Sequence, residues 1–210
     1  MTKRLFLLIT CISIISCNQN SVTKKINKVD TVASYTLPFP QGWETEIFSL
    51  PATFAPAITY KGIEDIRFTP GWAKAGSNEY WSYCFLWNLK ESVHIDAAVI
   101  EYNLKAYYTG LIATNTQKSK IPTGSMFETE TAFDKIKTAS GDLETFSGTI
   151  RMLDYMKQEP ITLNCIVHVK TCPQQSNTYL FHELSPKPFT DSVWKNLAQI
   201  WAGFSCLDNK

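Results

Sequence analysis

The sequence feature that most constrains the fold is the segment Tyr80–Leu89, in which large apolar side chains alternate along the chain. A period of two places successive side chains on opposite faces of a β-strand, so one apolar face must be covered. We expect this face to form core, or to line an apolar pocket if the sheet curves away from its helices. The face carries Trp81, Tyr83, Phe85, Trp87 and Leu89.

The hydrophobic period then changes to that of a helix. Apolar residues recur at i, i+3 and i+4, which predicts a helix over residues 95–113. Asp96 lies at its start, where a carboxylate suits a helix N-terminus. Glu101 and Lys105 have the spacing of an i, i+4 ion pair. The apolar stripe contains Ala97, Ile100, Leu104, Tyr107, Tyr108 and Leu111.

Further strand patterns flank this helix, and a second helix with Thr190 as its predicted N-cap ends the chain. The order strands, helix, strands, helix is typical of an α+β fold, here an antiparallel sheet with two packed helices. The second helix has an apolar stripe from Val193 to Phe204. The other predicted strands are Tyr35–Phe39, Thr45–Leu50, Ile63–Thr69, Phe127–Phe133, Phe146–Met152, Ile161–Val169 and Thr178–Leu184.

Two segments resemble a known superfamily. The opening Tyr35-Thr36-Leu37-Pro38-Phe39-Pro40-Gln41-Gly42-Trp43 ends in a Pro-x-x-Trp turn, and the closing segment Phe189–Trp201 is followed by Phe204-Ser205. With the element order, these segments resemble the Mog1/PsbP-like superfamily, although the closing Ser-Phe pair is reversed here. The resemblance implies an α/β/α sandwich and a non-enzymatic accessory or binding domain, a class that includes secreted bacterial lipoproteins. It implies no site residues, because the superfamily has no shared catalytic motif.

The N-terminus has the pattern of an export signal. Lys3 and Arg4 precede an apolar run of 11 residues, Leu5–Ile15. As a helix, this run would reach only about 16 Å, which is too short to span a bilayer. Ile14-Ile15-Ser16-Cys17 resembles the lipobox of bacterial lipoproteins, which implies cleavage before Cys17 and lipidation of that cysteine. The alternative is an ordinary secretory signal followed by a chance cysteine.

This pattern predicts three parts of the chain. Residues 1–16 form the signal peptide, 17–34 form the lipidated cysteine and a polar, flexible tether, and 35–210 form a single globular α+β domain. The predicted location is the bacterial cell envelope, with a lipid anchor in a membrane. Asn18 after the cysteine favours the outer membrane over the inner membrane.

The charge balance argues against nucleic acid as a partner. Without Lys3 and Arg4 the chain has 18 Lys and Arg residues against 19 Asp and Glu residues. No net positive charge remains to hold a polyanion, and the basic residues are scattered. The sequence has no P-loop, no G-x-G-x-x-G and no G-x-S-x-G motif, so we predict no cofactor.

The chain has six cysteines, of which four remain after Cys11 and Cys17 are set aside. An exported protein meets an oxidising compartment, and four cysteines allow three complete pairings. We favour Cys172 with Cys206, which would tie a hairpin turn to the C-terminal tail. Cys84 and Cys165 lie on strand faces and could stay as free, buried thiols. The spacings do not predict a metal site.

A candidate ligand site lies where a charged strand enters an aromatic loop. Glu64, Asp65 and Arg67 precede the loop that contains Trp72, and Glu79 follows. Carboxylates of this kind can act as acid and base, and a loop aromatic can form the rim of a site. The alternatives are a salt-bridge cluster on a strand edge and a loop tryptophan folded over the core.

The three histidines include two on the arms of a predicted hairpin. A turn centred near Gln174 and Gln175 suggests that His168 and His182 are near neighbours across the ladder. No third metal ligand is evident, so we expect two solvent-facing strand histidines.

Three functions fit these observations. A lipid-anchored binding or accessory protein of the cell envelope, with an unknown protein or small-molecule ligand, fits them best. One alternative is an envelope hydrolase that uses Glu64, Asp65 and Glu79, or His168 and His182, in a cleft. The other is a structural component of an envelope assembly.

Overall fold

The computed structural model describes residues 34–119, 127–173 and 175–207, with side chains omitted at 117–119. The predicted signal peptide, Cys17 and nearly all of the predicted tether therefore lie outside the described residues. Ser34, the first described residue, is held firmly. Its hydroxyl lies 3.0 Å from the Tyr179 hydroxyl, and its carbonyl accepts a 3.0 Å hydrogen bond from the backbone N–H of Leu207.

In chain order, the elements within the described residues are β1 Tyr35–Thr36, β2 Glu44–Leu50, β3 Gly62–Phe68, β4 Tyr83–Leu89, α1 Ala97–Ser119, β5 Glu130–Lys135, β6 Glu144–Asp154, β7 Glu159–Thr171, β8 Thr178–Ser185, α2 Val193–Ala202 and β9 Ser205–Cys206. Seven of these strands form one antiparallel sheet in the order β2-β3-β4-β8-β7-β6-β5. Strands β1 and β9 pair separately as a small antiparallel sheet.

The two helices cover opposite faces of the main sheet. From the central strand β4, Phe85 and Trp87 pack beneath α1, whereas Cys84 and Leu86 pack beneath α2. Every residue of β4 is buried, because successive side chains point alternately into two cores. The predicted α+β class, with an antiparallel sheet and two packed helices, is confirmed. The Mog1/PsbP-like resemblance stays a prediction.

The disulfide in the structure is the pair favoured from the sequence. Cys172 and Cys206 are bonded, with their Cα atoms 5.7 Å apart. The bond joins the β7–β8 turn to β9 and so holds the C-terminal tail beside the sheet. Cys84 and Cys165 are free and fully buried, as their places on strand faces suggested.

Several predicted boundaries are wrong for local reasons. Strand β4 begins at Tyr83 rather than Tyr80, because the backbone of Trp81 turns into the left-handed region with φ of 55°. Helix α1 continues to Ser119 rather than ending at 113, while its predicted start is right: Asp96 Oδ1 accepts from the backbone N–H of Val99 at 2.8 Å. The predicted β1 is shorter, because only Tyr35 and Thr36 have a partner strand.

Two predicted helix contacts are also wrong. Lys105 pairs with Glu128 at 2.8 Å rather than with Glu101, which instead accepts from the backbone N–H of Phe133 at 2.7 Å. The side chain that meets the first turn of α2 belongs to Asp191 rather than Thr190. In the described part of the chain, no helix combines the length and apolarity needed to cross a membrane.

Candidate functional site

The predicted charged cluster is divided by the sheet. Strand β3 lies between β2 and β4, so it is an interior strand and not an edge. Successive side chains on it point to opposite faces, which sends Glu64 towards α1 and Asp65 towards the opposite core. The structure therefore does not bring these two carboxylates together.

Arg67 is occupied by contacts within the fold. Its guanidinium forms a bidentate pair with Asp65, and its Nε donates to the carbonyl of Pro38 at 3.1 Å. Asp65 also accepts from the hydroxyl of Tyr35 at 3.0 Å. Burial raises the pKa of Asp65, and Arg67 opposes that rise. This cluster fastens the segment after β1 to the sheet, on the face opposite Trp72.

Glu64 is buried beneath α1, where its hydrogen-bond partners among the described residues are neutral side chains. Its carboxyl oxygens accept from the Trp87 indole N–H at 3.0 Å and from the Tyr107 hydroxyl at 2.7 Å. Burial raises its pKa to about 8, although both hydrogen bonds oppose the rise. The side chain is therefore largely protonated at neutral pH and provides a polar link between β3, β4 and α1.

Glu79 braces the loop between β3 and β4. Its Oε2 accepts from the backbone N–H of Gly71 at 2.9 Å, and a Cβ on Gly71 would lie 2.9 Å from the same oxygen. The backbone N–H of Trp81 donates to the carbonyl of Trp72 at 2.8 Å. These bonds fix the loop internally, so Glu79 shapes the loop that carries Trp72.

The two strand histidines lie on opposite faces, contrary to the prediction. The ladder pairs His168 with Phe181 and His182 with Val167. The predicted turn centre was right, but it places the histidines one residue out of register. Both are buried, so the expected exposure to solvent is also wrong. His182 stacks on Phe85 with ring centroids 4.2 Å apart, and burial lowers its pKa to about 3.

His168 forms a buried charged cluster with two carboxylates beneath α2. Its Nδ1 lies 2.7 Å from Asp142 Oδ2, and its Nε2 lies 3.4 Å from Glu183 Oε1. Burial alone would lower the pKa of His168, but the two carboxylates outweigh it and raise the pKa to about 9. Within the described ranges, no group of three or more His, Cys, Asp or Glu side chains is arranged to hold a metal ion.

A cavity of about 350 Å³ opens between the sheet and the C-terminal half of α1, and we call it the aromatic pocket. Strands β2, β3 and β4 contribute Phe48, Phe68 and Tyr83. Leu111 and Asn115 of α1 also line it, and Glu44 and Glu46 of β2 complete it on the side of the edge strand. The remaining aromatic lining comes from α1 and three connecting segments: Phe54, Trp72, Trp81, Tyr107 and Tyr155.

The pocket walls are held in place before any ligand arrives. Trp72 stacks on Phe68 with ring centroids 4.4 Å apart, and Trp81 meets Tyr155 edge-on at 5.2 Å. The Tyr80 hydroxyl donates to Asp154 at 2.6 Å, which ties the β3–β4 loop to the end of β6. A non-glycine residue with positive φ costs of order 1–3 kcal/mol, and such residues cluster at functional sites. The backbone of Trp81 has this conformation at the wall of the pocket.

Of the five predicted ligand-site residues, only Trp72 lines the aromatic pocket. Tyr83 and Trp81 come from the face that was predicted to be core or pocket wall, and they line the pocket, while Phe85 and Trp87 are core. Sequence reasoning missed Phe48, Phe54 and Tyr155, which lie in one strand and two connecting segments. The only sequence signal for them was the high aromatic content, 13% of residues.

The chemistry of the aromatic pocket favours binding. Eight aromatic side chains among the described residues offer a large apolar surface, and the pocket volume lies within the range of small-molecule sites. The described lining includes hydroxyl, amide and carboxylate groups that can orient a ligand. The chain matches no protein-family model, and it matches no curated protein.

Proposed function

We propose that this protein binds a small organic ligand in the aromatic pocket and acts as a binding or accessory protein. The observation that carries this proposal is the pre-formed cavity of about 350 Å³ walled by aromatic rings from seven separate parts of the chain. A soluble domain gains more stability by filling such a space with side chains than by leaving it open. Ligand binding gives a reason to retain it.

We further propose that the protein acts in the bacterial cell envelope, held to a membrane, preferably the outer membrane, by lipid on Cys17. The support is the sequence Ile14-Ile15-Ser16-Cys17 after an apolar run too short to span a bilayer. The disulfide between Cys172 and Cys206 agrees with folding in an oxidising compartment. A non-enzymatic role also agrees with the resemblance to the Mog1/PsbP-like superfamily.

The binding proposal can be tested with three soluble probes: benzyl alcohol, benzylsulfonate and benzyltrimethylammonium. We expect at least one to bind saturably, followed by quenching of tryptophan fluorescence and by shifts of amide resonances around Trp72. Thr114→Trp, which places a large ring at the pocket wall, should abolish that binding. Thr109→Trp, on the exposed side of the same helix, is the matched control. Failure of all three probes to bind the wild type would contradict the proposal.

The anchor is tested by the intact mass of the protein extracted from membranes. We expect a chain that begins at Cys17 and carries diacylglycerol. Retention of residues 1–16, or cleavage elsewhere without lipid, would contradict the anchor and leave the binding proposal unaffected.

A further inference from the structure

We infer that the ligand of the aromatic pocket is an organic cation, a quaternary or methylated ammonium group on a compact apolar body. This inference rests on the proposed function and names the chemical class of its ligand. It follows from the sign of the charges at the pocket and from the faces of the rings around them.

The charged side chains of the pocket are acidic. Alternation along the edge strand β2 brings Glu44, Glu46 and Phe48 to one face, and all three line the cavity. Among the described residues that line it, the charged ones are these two glutamates. Glu44 is exposed at the mouth and Glu46 is half-buried behind it, so negative charge extends from the entrance inward.

The charge of Glu46 acts on groups inside the pocket, whatever further contacts Glu46 makes. Burial and the negative charges of Asp154 and Glu46 raise the pKa of Tyr155, which also lines the cavity, to about 12. Burial is the largest cause of the raised pKa of Glu64, and Glu46 adds to it. Burial disfavours a charge of either sign, but the contribution of Glu46 shows that its carboxylate lies close enough to the pocket to attract a cation there.

The rings provide a second, independent attraction for a cation. The face of an aromatic ring carries partial negative charge, and desolvated cations bind best to tryptophan and tyrosine faces. Trp72, Tyr107 and Tyr155 line the cavity from the β3–β4 loop, α1 and the β6–β7 turn. A quaternary ammonium group keeps its charge without a hydrogen-bond partner, so it can be buried among rings more readily than a primary amine.

The decisive comparison uses two probes of nearly the same shape, choline and 3,3-dimethylbutan-1-ol, which differ by a positively charged nitrogen in place of a carbon. We expect choline to bind the full mature protein at least 10-fold more tightly in isothermal titration calorimetry. The preference should fall as salt is raised, because salt screens the carboxylates at the open mouth.

Charge-removing variants then locate the effect. Glu44→Gln combined with Glu46→Gln should lower choline affinity at least 5-fold and leave the affinity for 3,3-dimethylbutan-1-ol unchanged. Glu91→Gln, at an exposed position outside the pocket lining, is the matched control and should behave as the wild type. Circular dichroism and thermal unfolding establish that the double variant is folded.

The outcomes separate this inference from the proposed function. Equal affinity for the two probes, or tighter binding of the neutral one, overturns the cation assignment and leaves the pocket as a ligand site. Absence of choline binding while benzylsulfonate or benzyl alcohol binds also overturns it. Absence of binding by every probe contradicts the proposed function itself.

Discussion

The indole N–H of Trp201 donates to Oδ1 of Asp142 over 2.9 Å. Trp201 lies in the last turn of α2, and Asp142 lies in the turn before β6. The second carboxylate oxygen of Asp142 faces His168, so one side chain links the helix to the buried charged cluster on the sheet. The position of α2 therefore depends on a charge pair as well as on apolar packing.

Asp142→Asn should destabilise the protein by about 3 kcal/mol at pH 6, because it leaves a buried charge with a weakened partner. Folding raises the pKa of His168 from 6.5 to about 9. The stabilisation from this histidine is therefore complete below pH 6.5 and is lost as pH rises through 9. We expect the difference between variant and wild type in urea unfolding to shrink at pH 9.5.

Asp134→Asn, on the exposed part of β5, is the matched control and should change the free energy of unfolding by less than about 0.5 kcal/mol. If Asp142→Asn changed the free energy of unfolding at pH 6 by an equally small amount, the cluster would not hold α2.

The Cys172–Cys206 bond should contribute about 3–4 kcal/mol to stability, given a sequence separation of 34. The double variant Cys172→Ala/Cys206→Ala should lose this amount in denaturant unfolding. Reductant should destabilise the wild type by a similar amount and leave the double variant unchanged. In the native state, Cys84 and Cys165 should resist alkylation because both are buried. A loss below about 1 kcal/mol would contradict this assignment.

Glu64→Gln should change the pH dependence of stability. Folding raises the pKa of Glu64 from 4.5 to about 8, so its favourable contribution is complete below pH 4.5 and is lost as pH rises through 8. The variant cannot ionise and should gain stability relative to the wild type by up to about 1.4 kcal/mol per pH unit across this window. Chemical unfolding at pH 5 and pH 8.5 measures the change.

The exposed Glu91→Gln is the control for that experiment and should follow the wild type at both pH values. Parallel curves for Glu64→Gln and the wild type would mean that Glu64 is ionised in the folded protein.

Gly110→Ala should destabilise the protein by about 1–3 kcal/mol, even though alanine favours a helix. A Cβ at this position of α1 would lie 1.8 Å from the carbonyl oxygen of Phe54. The loop that carries Phe54 must then move, so probe binding to the aromatic pocket should weaken as well. Thr109→Ala, one residue earlier and exposed, should be neutral or slightly stabilising in the same thermal and binding measurements. An unchanged Tm for Gly110→Ala would show that the Phe54 loop can move without loss of stability.

Sequence periodicity predicted the layers of this fold well, because alternation and the helical stripe directly reflect burial. Strand β4 is an example. The alternation in its sequence assigns its side chains to two faces, and the side chains of each face pack in a different core. The pairing of the two histidines was nevertheless wrong, although the predicted turn centre was right. That register offsets His168 and His182 by one residue, and a one-residue offset places the two side chains on opposite faces of the sheet.

The sequence predicted only part of the aromatic pocket. Phe48, Trp72, Tyr107 and Tyr155 are far apart in the chain, and only the tertiary fold brings them to one cavity. Glu64, Asp65 and Arg67 were predicted to belong to one ligand site because they are close together in the sequence. Adjacency on a strand, however, means opposite faces, and here it separates Glu64 from Asp65 and Arg67.

The place where Ser34 is held determines where a membrane anchor would attach to the domain. Ser34 contacts Tyr179 near the start of β8, whereas Tyr83 in the pocket lies at the other end of β4, about 17 Å away. A lipid anchor on the flexible tether predicted upstream of Ser34 would therefore attach at the end of the sheet away from the pocket. A ligand in the surrounding water would then reach the pocket without passing the point of attachment.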